Sequence, residues 1–537
     1  MKIAALDGSW PARLSSKAMR RLIPILLVVL GACGEDETTA GGNGGTSGGA
    51  SSSSSGGTSG GPTTPGTDEP STPGGPSSTT PVSYGFRYGI NLGHRNGAWG
   101  DDKEGALAAQ AGARSIRIKL PAAHLKTWGV EIEKGDLASY GSHEMKDHIG
   151  FLIGSPTVGD TVAPAGSADW QNEYYVPKSL YEPIFGTDGN INPANTWAQY
   201  IYDVVRTYKD SIKVWHIWNE PDWVADWHVV DGWKTKPPSK AELVRFNGSI
   251  FDYVRMLRIA KQASQKADPD SLIATGGIGY PPFLDAILRY TDNPTDGTVT
   301  EAYPAKGGDY LDVVDFHYYP IFSAKSSDVS VDDFIASKRA LEAVLDARGK
   351  KIRGWNVSET GAPSATSAEY PTIGSAEYAR NYLIKVFISA QANGIGGVDW
   401  FILSNGAAEP KTAFDRMGLY GDLAPLTSPD QAVKTDTGRA YSTLQQILGG
   451  AGYDADATKA LGLPSSARGV AFRKDGKRRV ALWAVTGASE TAAASVELTT
   501  SAGFDVYAWD GTKSSADAVG GKATLGLTGS PVLLVER

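Results

Sequence analysis

The sequence predicts an α/β fold, a (β/α)8 TIM barrel followed by a C-terminal antiparallel β-sandwich domain. Eight short β-rich runs alternate with helical stretches between residues 84 and 445, as in parallel strands joined by crossover helices. From about residue 450 the pattern changes to hairpins. A doubly wound open sheet is the alternative for the first part, and the count of eight strands favours the barrel.

The predicted barrel strands are short apolar runs, and helical patterns lie between most of them. We predict strands at Tyr88–Leu92, Ser115–Lys119, Ile149–Ile153, Lys213–Trp218, Leu272–Ala274, Leu311–His317, Ile352–Val357 and Val398–Ile402. The clearest helices are predicted at Thr196–Tyr208, Lys240–Lys266, Val331–Ala347 and Ala376–Ala392.

Residues 450–537 are predicted to form the sandwich. VAFRKDGKRRVALW (Val470–Trp483) has the pattern of a hairpin with Asp475-Gly476 near its turn. Phe504–Gly511 and Val532–Glu536 have the pattern of further strands. Since this segment has no evident cluster of exposed aromatic residues, we expect it to brace the barrel rather than to bind a ligand.

Residues 1–33 have the features of an export signal. Arg20 and Arg21 precede the apolar run Leu22–Leu30, which is too short to cross a bilayer as a helix. The run leads into Leu-Gly-Ala-Cys, which resembles the cleavage box of a bacterial lipoprotein, so Cys33 is the expected lipidation site. An ordinary secretory signal is the alternative. We therefore expect a lipid-anchored protein of the cell envelope, at the outer membrane or cell surface, and otherwise a secreted one.

Residues 34–82 are predicted to form a disordered linker. They are dominated by Gly, Ser, Thr and Pro and contain no aromatic residue. Burial in such a segment cannot offset the entropy lost on ordering. The predicted barrel domain, residues 84–445, would therefore be tethered to the membrane at a distance.

Charge and histidine content exclude several functions. The formal net charge is −8 and the charged residues are scattered, so no basic patch predicts nucleic-acid binding. The 7 histidines include no His-x-His pair, so no metal site is predicted. No glycine motif that would cradle a phosphate is present, so no cofactor is predicted. Nothing in the pattern specifies an oligomeric state.

Two glutamates end predicted strands. VWHIWNEPDW (Val214–Trp223) runs from an apolar strand into Asn219, Glu220 and a proline that ends the strand. IRGWNVSETGAP (Ile352–Pro363) repeats the pattern with Glu359. Strands four and seven lie across the barrel mouth from one another, so both carboxylates are expected to face one cleft.

Two carboxyl groups flanking one bond are what glycoside hydrolysis requires, one as proton donor and the other as nucleophile. We therefore expect Glu220 to act as acid/base and Glu359 as nucleophile, with Asn219 orienting a substrate hydroxyl. A surface lipoprotein that binds carbohydrate without catalysis is the alternative, and the presence of both glutamates argues against it. A metal-dependent barrel hydrolase is a third, disfavoured by the scarcity of histidines.

These glutamates, the first within Asn-Glu-Pro, resemble those of glycoside hydrolase clan A, the retaining (β/α)8 glycosidases. VWHIWNEPD is similar to the acid/base strand of families 5 and 39, whereas SETGAP is closer to the nucleophile element of family 17. The resemblance covers roughly residues 84–445. It implies double displacement on a poly- or oligosaccharide, with β-linkages favoured.

The same resemblance implies roles for further side chains. Arg117, in SIRIKLP, would steady the charge of the nucleophile. In DFHYYP, His317 would contact substrate and Tyr319 would hydrogen-bond the nucleophile. Trp400, in VDWFIL, would floor a sugar subsite. Each has a structural alternative, a buried ion pair for Arg117 and core packing for His317 and Trp400.

Tryptophans concentrate around the predicted acid/base. Trp215, Trp218, Trp223, Trp227 and Trp233 are close to it in sequence, and aromatic rings suit a carbohydrate cleft because sugar C–H faces stack on them. Some of these rings must be ordinary core. We expect the long insertions at 156–195 and 222–238 to decide which sugar is accepted.

Overall fold

The computed structural model describes residues 85–93, 100–155, 160–164, 167, 173–321, 326–367, 370, 374–406 and 412–537. The predicted signal, Cys33 and the linker 34–82 lie outside the described residues. Within the described ranges, no helix has the length and apolar character needed to cross a bilayer.

Eight parallel strands close into a barrel in sequential order, and the last pairs with the first. This confirms the predicted barrel and excludes the open sheet. Every residue of the third strand is buried, as expected where helices cover the outside of a parallel barrel. The strands are β1 (Arg87–Asn91), β2 (Ser115–Pro121), β3 (His148–Ile153), β4 (Ile212–Ile217), β5 (Leu272–Thr275), β6 (Val313–Tyr318), β7 (Gly354–Thr360) and β8 (Gly397–Phe401).

The connections carry α-helices that polar side chains cap. Asn195 accepts a hydrogen bond from the amide of Ala198, and Ser375 does the same for Tyr378. The helices are α1 (Asp101–Ala111), α2 (Ala122–Trp128), α3 (Lys134–Ser142), α4 (Thr196–Tyr208), α5 (Ile250–Ala267), α6 (Pro281–Arg289), α7 (Ser327–Ala347), α8 (Ala376–Ala392), α9 (Asp436–Leu448) and α10 (Ala455–Lys459). Short 3-10 helices lie at Trp227–Lys234, Gly307–Tyr310, Phe414–Arg416 and Pro429–Gln431.

The helix predicted over Lys240–Lys266 is wrong in its first third. Helix α5 begins at Ile250 because Ser249 and Asp252 form a capping box, in which each side chain accepts a hydrogen bond from the other residue's amide. Residues 240–248 form turns and bends instead. The turns bring Arg245 to the barrel mouth, as described below.

The C-terminal domain consists of two antiparallel sheets, which confirms the predicted sandwich. Six strands form one sheet in the order β14 (Lys513–Ala516), β13 (Phe504–Tyr507), β16 (Val532–Glu536), β11 (Lys477–Ala484), β10 (Ala467–Lys474) and β9 (Gly452–Tyr453), and β12 (Ala493–Thr499) pairs with β15 (Lys522–Thr528). Asp475 and Gly476 turn the predicted hairpin with φ of 53° and 75°, the left-handed values that a two-residue hairpin turn needs.

A buried aspartate joins the barrel to the sandwich. Asp328, at the start of α7, accepts hydrogen bonds from Trp483 Nε1 at 2.8 Å and from the amide of Thr486 at 2.8 Å. Lys385 of α8, also fully buried, lies 2.9 Å from the same carboxylate. Two barrel helices and the sandwich therefore share one ionic centre, which fits the expectation that the sandwich braces the barrel.

We expect Asp328→Ala to lower the free energy of unfolding by about 3–5 kcal/mol, because it leaves the ammonium of Lys385 buried without its counter-ion. Urea denaturation followed by tryptophan fluorescence measures the loss. The matched control is Asp332→Ala on the same helix, whose partner Arg468 is partly exposed. That change should lower the free energy of unfolding by less than about 1 kcal/mol. Equal losses in the two variants would contradict the role given to Asp328.

Candidate active site

Glu220 and Glu359 meet at the C-terminal mouth of the barrel. Carboxylate oxygens of the two residues and a ring nitrogen of His317 all lie within 4.8 Å of one another. Strand β4 ends three residues before Glu220, and Glu359 is the penultimate residue of β7. The two glutamates therefore lie side by side at one end of the barrel.

A sharp backbone turn carries Glu220 into the pocket. Trp218 and Glu220 have φ of 75° and 47°, in the left-handed region that residues other than glycine rarely adopt. The Trp218 amide donates to the carbonyl of Leu152 at 2.9 Å, and the Glu220 amide donates to the carbonyl of Gly276 at 2.6 Å. Neighbouring strands thus hold a strained turn at the site where the side chain must point inward.

An irregular register brings two consecutive residues of β7 to the interior. The pairing of β7 shifts against β6 and again against β8 near the end of the strand. As a result the Ser358 hydroxyl reaches Asp315 inside the barrel, while the next residue, Glu359, reaches Arg117. A regular strand would have turned one of the two outward.

The carboxylate of Glu359 is buried and surrounded by donors. Arg117 hydrogen-bonds one oxygen, and the Tyr319 hydroxyl donates to the other at 2.7 Å. Burial acts to raise the pKa of Glu359, but His317, Arg117 and the Tyr319 hydroxyl together outweigh it and hold that pKa below its ordinary value. Glu359 is therefore ionised near neutral pH.

Arg117 also fixes Asn219. Its second terminal nitrogen donates to the side-chain oxygen of Asn219 at 2.7 Å, and its guanidinium lies 4.3 Å from the ring centre of Phe151. Arg117 and Tyr319, which the resemblance places at the nucleophile, thus both contact Glu359, whereas Asn219, predicted to orient a substrate hydroxyl, is bonded to Arg117.

Glu220 has different surroundings from Glu359. Arg245, from the turns before α5, hydrogen-bonds one carboxylate oxygen, and the His317 Nδ1 lies 3.1 Å from the other. The guanidinium of Arg245 lies 4.7 Å from the ring centre of Trp223. The side chain of Glu220 is 21% exposed, against 10% for Glu359. Glu220 is therefore the more accessible of the two carboxyls.

His317 lies between the two glutamates. Its Nε2 is 2.9 Å from the Ser358 hydroxyl, and its Nδ1 is 3.6 Å from Glu359, farther than from Glu220. Burial lowers the pKa of His317. The imidazole is consequently neutral near neutral pH, with one ring nitrogen as donor and the other as acceptor.

Among the described residues, Glu220, His317 and Glu359 form the one group close enough to share a cation. Guanidinium groups already contact both carboxylates, from Arg245 and Arg117. A bound cation would lie beside these two positive charges, so the residues do not fit a metal site. Contacts within the protein account for the arrangement.

Trp400 does not reach the cleft. Its ring is fully buried against Tyr382 of α8, and its Nε1 donates to the carbonyl of Met417 at 2.7 Å. The preceding residue, Asp399, faces the interior and pairs with Arg87, so Trp400 points outward. The prediction that Trp400 floors a sugar subsite does not fit this position.

The tryptophans near Glu220 are mostly core. Trp215, Trp218 and Trp233 are fully buried, whereas Trp227 is 44% exposed. Two of the five contact Arg245, which touches Glu220: Trp223 through its ring and the buried Trp218 through its indole N–H. The local density of tryptophan therefore overstates the aromatic surface open to a ligand.

Three residues of the site were not among those predicted. Asp315 lies two residues before His317 on β6, and the alternation of a strand could have placed both on one face. Ser358 lies two residues after Asn356, whose side chain also contacts Asp315, so alternation along β7 could have placed it inside the barrel. Arg245 belongs to a segment with a helical pattern, so the sequence carried no signal for it.

No protein-family model matches the sequence, and no curated protein matches it either. Among solved structures, a family 39 glycoside hydrolase from the gut symbiont Bacteroides cellulosilyticus WH2 is similar with a TM-score of 0.58, at 16% identity over 86% of this chain and 81% of that chain. A glucosidase from Croceicoccus marinus is similar with a TM-score of 0.51, at 12% identity over 86% of this chain and 98% of that chain. This chain therefore has the fold of the clan A glycoside hydrolases.

Proposed function

We propose that the protein is a retaining glycoside hydrolase that cleaves β-linked poly- or oligosaccharides. The observation that carries the proposal is that one carboxylate oxygen of Glu220 lies within 4.8 Å of a carboxylate oxygen of Glu359 at the C-terminal end of the barrel. Retaining glycosidases hold their two carboxyl groups about 5–5.5 Å apart, whereas inverting enzymes leave about 6.5–9.5 Å for a water molecule. The short separation favours direct attack by one carboxylate.

Glu359 is proposed as the nucleophile. Its low pKa keeps it ionised, and its contacts with Arg117 and Tyr319 direct its oxygens. Attack on the anomeric carbon forms a glycosyl ester and breaks the bond to the leaving oxygen. Since the ester is neutral, the Tyr319 hydroxyl is then free to turn towards the sugar ring oxygen.

Glu220 is proposed as the acid/base. In the first step it donates a proton to the leaving oxygen, and in the second it takes a proton from the water that cleaves the ester. A protonated carboxyl keeps one oxygen that only accepts, so Arg245 can hold Glu220 in place while the other oxygen carries the proton.

Variants of the two glutamates test this assignment. Glu359→Ala should reduce turnover of aryl glycosides at least about 10⁴-fold, and added azide should yield only an inverted glycosyl azide. Glu220→Ala should lose about 10²–10⁴-fold on substrates with poor leaving groups, and azide should restore product with retained configuration. NMR of the products gives the configuration.

The substrates come from a panel of aryl β-glycosides together with β-glucans, xylan, mannan and galactan. Asp226→Ala is the matched control, because Asp226 is an exposed carboxylate of the loop after Glu220 whose partner is the exposed His228. Full activity in either glutamate variant would overturn the proposal. Binding to a polymer without hydrolysis of any substrate would favour the non-catalytic alternative.

Tyr319→Phe should move the acidic limb of the pH–rate profile. Glu359 must be ionised to attack, so activity is lost as pH falls through its lowered pKa. Removing the Tyr319 hydroxyl deletes a donor to the charged form, so the pKa and the acidic limb should rise by about one pH unit. The pH dependence of kcat/KM measures this.

The matched control is Tyr318→Phe, one residue earlier, whose ring packs against Phe334. It should leave the acidic limb in place. A limb that stays unchanged in Tyr319→Phe, or moves equally in both variants, would contradict the role of Tyr319.

We also propose that Cys33 carries a lipid that anchors the protein in the cell envelope. The lipoprotein-like box and the Gly/Ser/Thr/Pro-rich linker support it. In a bacterial host, the full chain should fractionate with membranes and Cys33→Ser should not. Ser59→Ala in the linker is the control. If the Cys33→Ser variant associated with membranes as much as the unsubstituted protein does, the proposed lipid anchor would be refuted.

A further inference from the structure

A continuous hydrogen-bond chain connects Glu220 to a second buried carboxyl. Glu220 lies 3.1 Å from His317 Nδ1, and His317 Nε2 lies 2.9 Å from the Ser358 hydroxyl. Ser358 lies 2.6 Å from the Oδ2 of Asp315. We call these four residues the Asp315 chain. Asp315 has no exposed surface and lies below the pocket, out of reach of a sugar.

The protonation states of Asp315 and Glu220, at the two ends of the Asp315 chain, fix the direction of every hydrogen bond between them. When Asp315 is ionised it only accepts, so the Ser358 hydroxyl must donate to it. Ser358 then accepts from His317 Nε2–H, and the neutral ring presents a bare Nδ1. A hydrogen bond from Glu220 to that nitrogen requires Glu220 to carry the proton. This first arrangement holds Glu220 as the acid.

A second arrangement reverses every bond without changing the number of protons. The proton of Glu220 passes to His317 Nδ1, the Nε2 proton passes to the Ser358 oxygen, and the Ser358 hydroxyl proton passes to Asp315. Glu220 becomes a carboxylate, Asp315 becomes a neutral acid, and His317 remains neutral in its other tautomer. This second arrangement holds Glu220 as the base.

We propose that Asp315, acting through Ser358 and His317, exchanges one proton with Glu220 and so sets whether Glu220 is poised as acid or as base. The inference deepens the proposed hydrolase function and rests on it for the role of Glu220. Asp315 and Ser358 are positioning residues in this scheme, because neither touches the substrate.

The surroundings of Asp315 allow both the ionised and the neutral form of its carboxyl group. Burial raises the pKa of Asp315 to about 7, so its neutral form is accessible at working pH. The charged and titratable groups that face it are Arg117, His317, Asp399 and His216, the last with Nδ1 at 3.4 Å. Those that face Glu220 are Arg245, His317 and Glu359.

The other oxygen of Asp315 makes a substitution informative. Its Oδ1 accepts from the Ser358 amide at 2.9 Å and from Asn356 at 3.0 Å. In Asp315→Asn the amide oxygen must therefore occupy this position, and the amide nitrogen must face the Ser358 hydroxyl as a donor. The variant would lock the Asp315 chain in its second arrangement, with His317 protonated at Nδ1.

The test measures the tautomer and the pH profile of the full chain. In ¹⁵N NMR, His317 should populate both neutral tautomers in the wild type, and only the tautomer protonated at Nδ1 in Asp315→Asn. His317→Gln identifies the signal. The alkaline limb of kcat/KM, where Glu220 loses its proton, should move to lower pH by about one unit in Asp315→Asn.

Ser358→Ala is the second variant, since it cuts the Asp315 chain in the middle. It frees His317 to donate from Nδ1 to ionised Glu220, so it should move the alkaline limb in the same direction. Dinitrophenyl glycosides, whose leaving group needs little protonation, should show a smaller change than phenyl glycosides in both variants. A purely structural role would slow both substrates equally.

Thr360→Val is the control, because it removes a buried hydroxyl of the same strand that faces Tyr382 outside the barrel. It should move neither the His317 signal nor the alkaline limb. An unchanged His317 tautomer in Asp315→Asn overturns the inference whether or not the protein is active. A changed tautomer in a protein that hydrolyses no substrate would refute the hydrolase function alone.

Discussion

The ion pair between Arg117 and Glu359 is the constraint on which the rest of the site depends. A carboxylate inside a closed barrel loses its hydration, and that loss is tolerable only where a cation and hydrogen-bond donors replace it. Arg117 supplies the charge and is itself fixed by Asn219, which extends from the turn after β4. One guanidinium therefore ties β2 to the end of β7 and to Asn219, the residue that precedes Glu220.

Other buried carboxyl groups deeper in the barrel also need cations and hydrogen-bond donors in place of water. Asp315 and Asp399 are both buried, and burial raises the pKa of Asp399 to about 6 as well. Arg87 lies near Asp399 and bonds the Asn356 side chain, which in turn donates to Asp315. The barrel interior is thus a connected polar network rather than an apolar core, with fewer cations than carboxyls. Burial thus moves the pKa values of Asp315 and Asp399 towards neutrality.

Much of this could be predicted from the sequence, because the informative residues lie where strands end. Glu220 and Glu359 each follow an apolar run and precede a backbone breaker, and a barrel brings all such ends to one mouth. The subsite role predicted for Trp400 does not fit, because side chains alternate along β8 and Asp399 takes the interior position. The position of Arg245 at the barrel mouth could not be predicted from the sequence. It depends on tertiary contacts and on the capping box, which starts the helix at Ile250 although the helical pattern begins earlier.

The loop between β4 and α5 has two tasks. Through Arg245 it contacts the Glu220 carboxylate, and the carbonyl of Arg245 accepts from the Trp218 indole beneath the strained turn. One stretch of chain therefore supports both the backbone that presents Glu220 and the position of its side chain. A change in the length of this loop would disturb the two together.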